Sequence, residues 1–133
     1  MIPSNNFGQL IAEAQKLVKP IPLARPSEDA GTVGCALQAQ DGHIHTGICI
    51  DLACGIGFCA EASAIVNMIK EGETVIDYIV AVSKRGIIPP CGRCREMMVQ
   101  VSEQNYKTLV IVSETEVVPV SELLPRHWLS MNR

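Results

Sequence analysis

Cys59, Glu61, Cys91 and Cys94 are the residues of this chain whose types and spacing could do chemistry together. Cys91 and Cys94 stand three apart, close to one helical turn, so two thiolates can converge on one ion. Cys59, brought beside them, supplies a third. Three protein ligands leave the fourth tetrahedral position of Zn²⁺ open to water, and an open position separates a catalytic site from a structural one. Water held there loses a proton near neutral pH and becomes a nucleophile. Glu61 lies two residues after Cys59, close enough to face that water without ligating the metal, and its carboxylate could take the proton and pass it on. Other readings remain open for the cysteines alone. Cys91-Gly92-Arg93-Cys94 has the spacing of a redox pair. Cys54 or Cys49 could close a structural zinc site in a non-catalytic interaction domain, although such a site has no task for Glu61.

The elements that must position these groups are legible from periodicity. Leu10, Ile11, Ala14, Leu17 and Val18 recur at helical spacing from Phe7, with Ser4 or Asn5 to cap the start and Pro20 to stop the end. Residues 21–31 read as a Pro-rich loop. Thr32 to Gln40 and His43 to Ile50 flank Asp41-Gly42, a hairpin signal, since Asp-Gly suits the positive φ angles of a two-residue turn. After a Gly-containing loop at 51–57, Phe58 to Lys70 has helical character and stops at Gly72. Val75 to Val82 is continuous apolar sequence, as for a strand covered on both faces. A loop at 83–90 precedes a helix from Cys91 to Glu103, two strands at 108–112 and 116–120, and a short helix from Ser121. This order predicts a mixed sheet with helices on both faces, and both cysteine groups fall where loops lead into helices.

At 133 residues the chain has the size of one domain, 1–133, with 47% hydrophobic and 19% charged residues, the make-up of a globular protein. The net charge of −3 offers no basic footprint for a nucleic acid, so a free small molecule is the expected partner. No apolar run approaches the ~18 residues of a membrane span, and the start of the chain lacks the marks of a signal peptide. A cytoplasmic location is therefore expected, where thiols stay reduced. Cys35 alternates with Val33 and Leu37 and reads as core, as do Met97 and Met98. His43, His45 and His127 read as surface residues.

Cys59-Ala60-Glu61 followed by Pro90-Cys91-Gly92-Arg93-Cys94 resembles the zinc signature of the cytidine deaminase superfamily. Cys rather than His in the first motif is similar to the branch acting on free nucleosides. The run from Arg85 to Arg95 and Glu122-Leu123-Leu124-Pro125 look especially like blasticidin-S deaminases. Val33-Gly34-Cys35-Ala36-Leu37 and Thr46-Gly47 extend the resemblance over most of the chain.

The resemblance implies a three-layer α/β/α sandwich with a mixed five-stranded sheet and a homotetramer or dimer. It implies zinc on Cys59, Cys91 and Cys94, Glu61 as the catalytic proton carrier, and hydrolytic loss of the exocyclic amine of a cytosine-type nucleoside. Blasticidin S or another aminated heterocycle is the alternative substrate. Phe58 and Pro89 would hold the base. Cys49 and Asp51 stand where the family usually has Asn and Glu against the ribose, and Gly31 and Thr32 where it tends to have an aromatic. Ala62 replaces an Arg that offsets thiolate charge, leaving Arg93 for that role. Trp128 matches a Phe that completes a neighbouring subunit's pocket; on its own it reads equally as a hydrophobic anchor.

Overall fold

The computed structural model describes residues 4–130. The caps expected at Ser4 or Asn5 involve side chains outside those described. Helix α1 (Ser4–Gln15) is followed by β1 (Ile21–Pro22), β2 (Asp29–Ala39) and β3 (Ile44–Asp51). Then come α2 (Ala60–Lys70), β4 (Ile76–Ser83), β5 (Gly86–Ile88) and α3 (Gly92–Val101). Strands β6 (Leu109–Ile111) and β7 (Val117–Pro119) and helix α4 (Val120–Leu123) complete the order.

The five expected strands form one mixed sheet. β2 pairs antiparallel with β3 on one side and β4 on the other; β6 runs parallel to β4, and β7 returns antiparallel to β6. Two short strands join them. β1 pairs with Asp29 and Ala30 of β2, and β5 pairs with the end of β4. Both fall inside segments expected to be loops, because two or three residues are too few for periodicity to register. The hairpin closes through a three-residue loop, Gln40-Asp41-Gly42, rather than a two-residue Asp-Gly turn: Ala39 N–H donates to the His43 carbonyl, Gly42 N–H donates to the Ala39 carbonyl, and of the pair only Gly42 takes a positive φ, +92°. Helix α1 stops at Gln15, short of Pro20, its last turn tightening as Leu17 and Val18 donate to the carbonyls of Ala14 and Gln15.

Alternation along the strands sends side chains to two cores. Cys35, Leu37 and Ile79 join Ala64, Ile65 and Met68 of α2 and Met98 and Val99 of α3. Ala36, Val80, Val82 and Ile111 face the other way, onto Phe7, Leu10 and Ala14 of α1. Cys35, Met97 and Met98 thus belong to the core side as expected. Gly47 of β3 brings α2 down onto the sheet, because a Cβ there would lie 2.6 Å from the Cβ of Ser63 and strike the backbone nitrogen of Ala64.

The turn after α3 is held by a buried amide. Asn105 Oδ1 accepts from the Ile76 amide at 2.8 Å, and its Nδ2 donates to the carbonyls of Thr74 and Met98, both at 2.9 Å. This ties the start of β4 to the end of α3 and fixes how α3 lies on the sheet. Two of the three histidine readings need correction in part, since His45 and His127 are half-buried. His43 is exposed, but His45 is half-buried with its Nε2 inside, since β3 carries it opposite Leu37, whose side chain faces the core. His127 packs edge-on against Tyr106, ring centres 5.0 Å apart.

Candidate metal centre

Helices α2 and α3 begin side by side at one end of the sheet, and each is preceded by a cysteine at its N-cap. Cys59 caps α2 and Cys91 caps α3, both in extended backbone. The helices start later than their periodicity predicts: Phe58 lies in a β-bridge to Ile50, their backbone N–H and C=O groups exchanging two hydrogen bonds of 3.0 Å. This bridge sets Cys59 beside the end of β3. Cys94, in the first turn of α3, faces inward and is buried.

The three sulfurs converge. Cys59 Sγ lies 3.5 Å from Cys91 Sγ, Cys91 Sγ lies 3.7 Å from Cys94 Sγ, and all three fall within 4.8 Å of one another. Tetrahedral zinc with Zn–S bonds of about 2.3 Å separates its sulfurs by about 3.8 Å, so the spacing and donor chemistry fit that ion. Among the described residues this is the one such cluster of possible ligands. Cys54 is exposed in a short turn at φ +62° and does not join it, and neither does Cys49. The closed four-thiol reading therefore lacks its fourth ligand.

Their electrostatics differ. Burial pushes the Cys94 thiol far up, with Glu61 adding to the effect, and burial likewise raises Cys59. For Cys91 desolvation works upward too, but the backbone N–H of Cys94, the Cys59 thiol and the other groups around its sulfur outweigh it and lower its pKa. Thiols that resist ionisation when empty need a cation to become thiolates, which is what a bound metal provides.

A cavity of about 430 Å³ opens over this cluster. Glu61 lines it while being only 4% exposed, and burial raises its carboxyl above the usual range, partly offset by its own backbone N–H. Phe58, Cys49, Asp51, Pro89 and Arg93 also line the cavity. Trp128 does not; it sits half-exposed in a terminal turn, its backbone N–H donating to Glu96 Oε1 at 3.2 Å.

Two groups carry more than their residue types announce. Arg95 donates through Nε to the Pro90 carbonyl at 2.8 Å and through Nη1 to the Leu123 carbonyl at 3.0 Å, clamping the cysteine loop to α4. Thr32 reaches into the cavity, 3.2 Å from Cys49 Sγ and donating to Asp51 Oδ2 at 3.3 Å. A lone Thr or Arg has no spacing signal, so only the fold could disclose either.

Comparison with known proteins agrees with this geometry. The family model described as cytidine and deoxycytidylate deaminase zinc-binding region matches residues 9–112. A cytidine deaminase of Halalkalibacterium halodurans is 36% identical over 98 residues, 70% of this chain and 74% of that protein. A blasticidin-S deaminase of Bacillus cereus is 27% identical over 103 residues, with the same coverage of 70% and 74%. The crystal structure of cytidine deaminase from Mycobacterium tuberculosis shares the fold, with a TM-score of 0.78 at 20% identity, covering 94% of this chain and 98% of that one. The enzyme from Mycobacterium leprae does so with a TM-score of 0.76 at 24% identity, covering 92% and 100%. With its clustered thiols beside a buried glutamate in that fold, the chain belongs to the cytidine and deoxycytidylate deaminase family and carries that family's zinc-binding region.

Proposed function

We propose that this protein is a single-domain hydrolase, residues 1–133, that removes the exocyclic amine of a cytosine-type nucleoside as ammonia. The observation that carries this reading is the burial of Glu61 in the wall of the cavity that opens on the three-thiol cluster. Cys59, Cys91 and Cys94 would hold zinc, which supplies the Lewis acidity that makes water nucleophilic near neutral pH.

Hydrolysis of a C–N bond to a carbonyl sends one proton of water to the ring nitrogen and the other to the departing amine. Both transfers need one group that accepts and then returns a proton, and Glu61 is the buried carboxyl at that place. Its raised affinity for protons suits the half of the cycle in which it donates. Phe58 and Pro89 are suited to hold the ring, one by its face and the other by rigid backbone. Cys49 and Asp51 stand beside them for the substituent on the ring, and Arg93 offsets thiolate charge. Leu52, Phe58 and Ile88 give part of the cavity an apolar wall, from which a ring bound against it would displace water.

A substrate other than plain cytidine has specific support. The cavity wall holds a thiol and a short carboxylate at Cys49 and Asp51, and the similarity to a blasticidin-S deaminase covers the same share of the chain as that to a cytidine deaminase. A homotetramer in the cytoplasm completes the proposal. Val66 and Ile69 of α2 and Trp128 are exposed, apolar area that association would cover. Among the described residues no helix is long and apolar enough to cross a membrane.

The test is ammonia release from a panel of cytidine, deoxycytidine, blasticidin S and other aminopyrimidines by zinc-loaded protein. Turnover of at least one is expected. Stoichiometric zinc with no release from any member would favour a structural metal domain.

A further inference from the structure

Cys91 is held from both sides by one residue. Its own carbonyl accepts from the Arg95 backbone N–H at 3.0 Å, and the carbonyl before it, on Pro90, accepts from Arg95 Nε at 2.8 Å. The two peptide planes that flank a Cα decide where its Cβ points, so Arg95 governs the direction in which Cys91 presents its sulfur. Pro89 and Pro90 have no N–H through which the loop could fix itself. Pro90 is buried, and without the guanidinium its carbonyl would have to turn toward water to regain a donor.

The same guanidinium reaches a second element. Nη1 donates at 3.0 Å to the carbonyl of Leu123, the last residue of α4, where no further turn supplies a donor. That segment is itself fastened on both sides of the contact: the Val120 N–H donates to the Thr108 carbonyl and the Tyr106 hydroxyl to the Pro125 carbonyl, both at 2.9 Å. The run Glu122-Leu123-Leu124-Pro125 touches neither the thiol cluster nor the cavity, yet it gives Arg95 a fixed post to brace against. Arg95 is half-buried, and among the described residues no ion pair engages it, so its donors are spent on backbone carbonyls and not on a carboxylate. A planar fork of N–H groups can serve two carbonyls in fixed directions, whereas an ammonium on a flexible stem offers a single nitrogen.

We infer that Arg95 is the positioning residue of the metal centre. It transmits the fixed place of α4 to Cys91, the sulfur that lies between the other two, and so sets the ligand geometry that an ion meets. The inference rests on the reading of Cys59, Cys91 and Cys94 as ligands and not on the choice of substrate.

The probe is Co²⁺ in place of zinc, whose thiolate charge-transfer and visible bands report ligand set and geometry, together with the rate at which a chelator removes zinc. Arg95→Met and Arg95→Lys are expected to alter the cobalt spectrum at saturating metal and to speed zinc loss by about 10- to 100-fold, the usual effect of losing a group that orients a ligand. Tyr106→Phe is the control, since it removes a bond to the same terminal segment without touching the cysteine loop. It should lower stability in urea and leave the cobalt spectrum and the zinc-loss rate unchanged. A parental spectrum and zinc-loss rate in Arg95→Met overturn the inference. Full rescue by Arg95→Lys also overturns it, because charge and not the two-carbonyl clamp would then be the cause. A Tyr106→Phe effect on spectrum and zinc loss as large as that of Arg95→Lys does so too, as general loosening. Should Arg95→Met fail to fold, Arg95→Lys carries the same comparison. A parent protein that binds neither ion instead removes the ligand reading beneath the inference, a different result from parental behaviour of the variants.

Discussion

Glu61 keeps a carboxyl where charge is costly, 4% exposed and with no ion-pair partner among the described residues. Natural chains retain such groups where their protons are used. Glu61→Gln preserves its size and should lower kcat by about 10²- to 10⁴-fold, the usual worth of general acid–base catalysis. Zinc content should stay stoichiometric, because the carboxyl is not among the clustered ligands. Turnover within tenfold of the parent would assign the proton transfers to another group. The thiols are tested separately by metal analysis after dialysis. Cys91→Ala removes the sulfur that lies between the other two and should lose zinc, while Cys54→Ala, outside the cluster, should keep it. The opposite pattern would mean a different ligand set.

At the scale of elements, the site depends on where two helices start. The approach of α2 to β3 is set by Gly47, and a methyl there would push Ser63 and Ala64 away, carrying Cys59 and Glu61 with them. Gly47→Ala should cost about 1–3 kcal/mol in urea unfolding and weaken zinc retention. Gly8→Ala, in the exposed face of α1 with open space around it, should gain up to about 1 kcal/mol. Equal effects at the two glycines would show that close approach is not the cause. The hairpin between β2 and β3 carries a pH-dependent pair. The side-chain contact with Asp41, 2.8 Å from His43 Nδ1, raises the imidazole pKa, and the His43 backbone N–H chiefly lowers that of Asp41. The His43 contribution is thus complete below the ordinary His pKa of about 6.5 and is lost as pH rises through the raised value. The Asp41 contribution is present above its ordinary value of about 3.9 and is lost as pH falls through the lowered one. Asp41→Asn should return the His43 titration toward about 6.5 by NMR. An unmoved midpoint would place the cause elsewhere.

For the whole molecule, the exposed Val66, Ile69 and Trp128 set an expectation about assembly. Sedimentation velocity of the zinc-loaded protein should give a four-chain particle, and a monomer at micromolar concentration would mean these side chains stay in water. The long elements were legible in the sequence because each repeats its pattern: α1, α2, β4 and α3 read within a few residues of their observed ends, and the cysteine–glutamate spacing named the metal centre. The short β1 and β5 were not, since two or three residues carry no period. Phe58 was read into a helix because its apolar character fits either conformation, and only the bridge to Ile50 decided between them. By itself the sequence determined which atoms could bind a metal and move a proton, because those are properties of residue types at close spacing. That Cys59 meets Cys91 and Cys94, that Glu61 loses its water and that Arg95 holds the Cys91 loop against α4 were decided only by tertiary structure, since each joins segments that local spacing cannot relate.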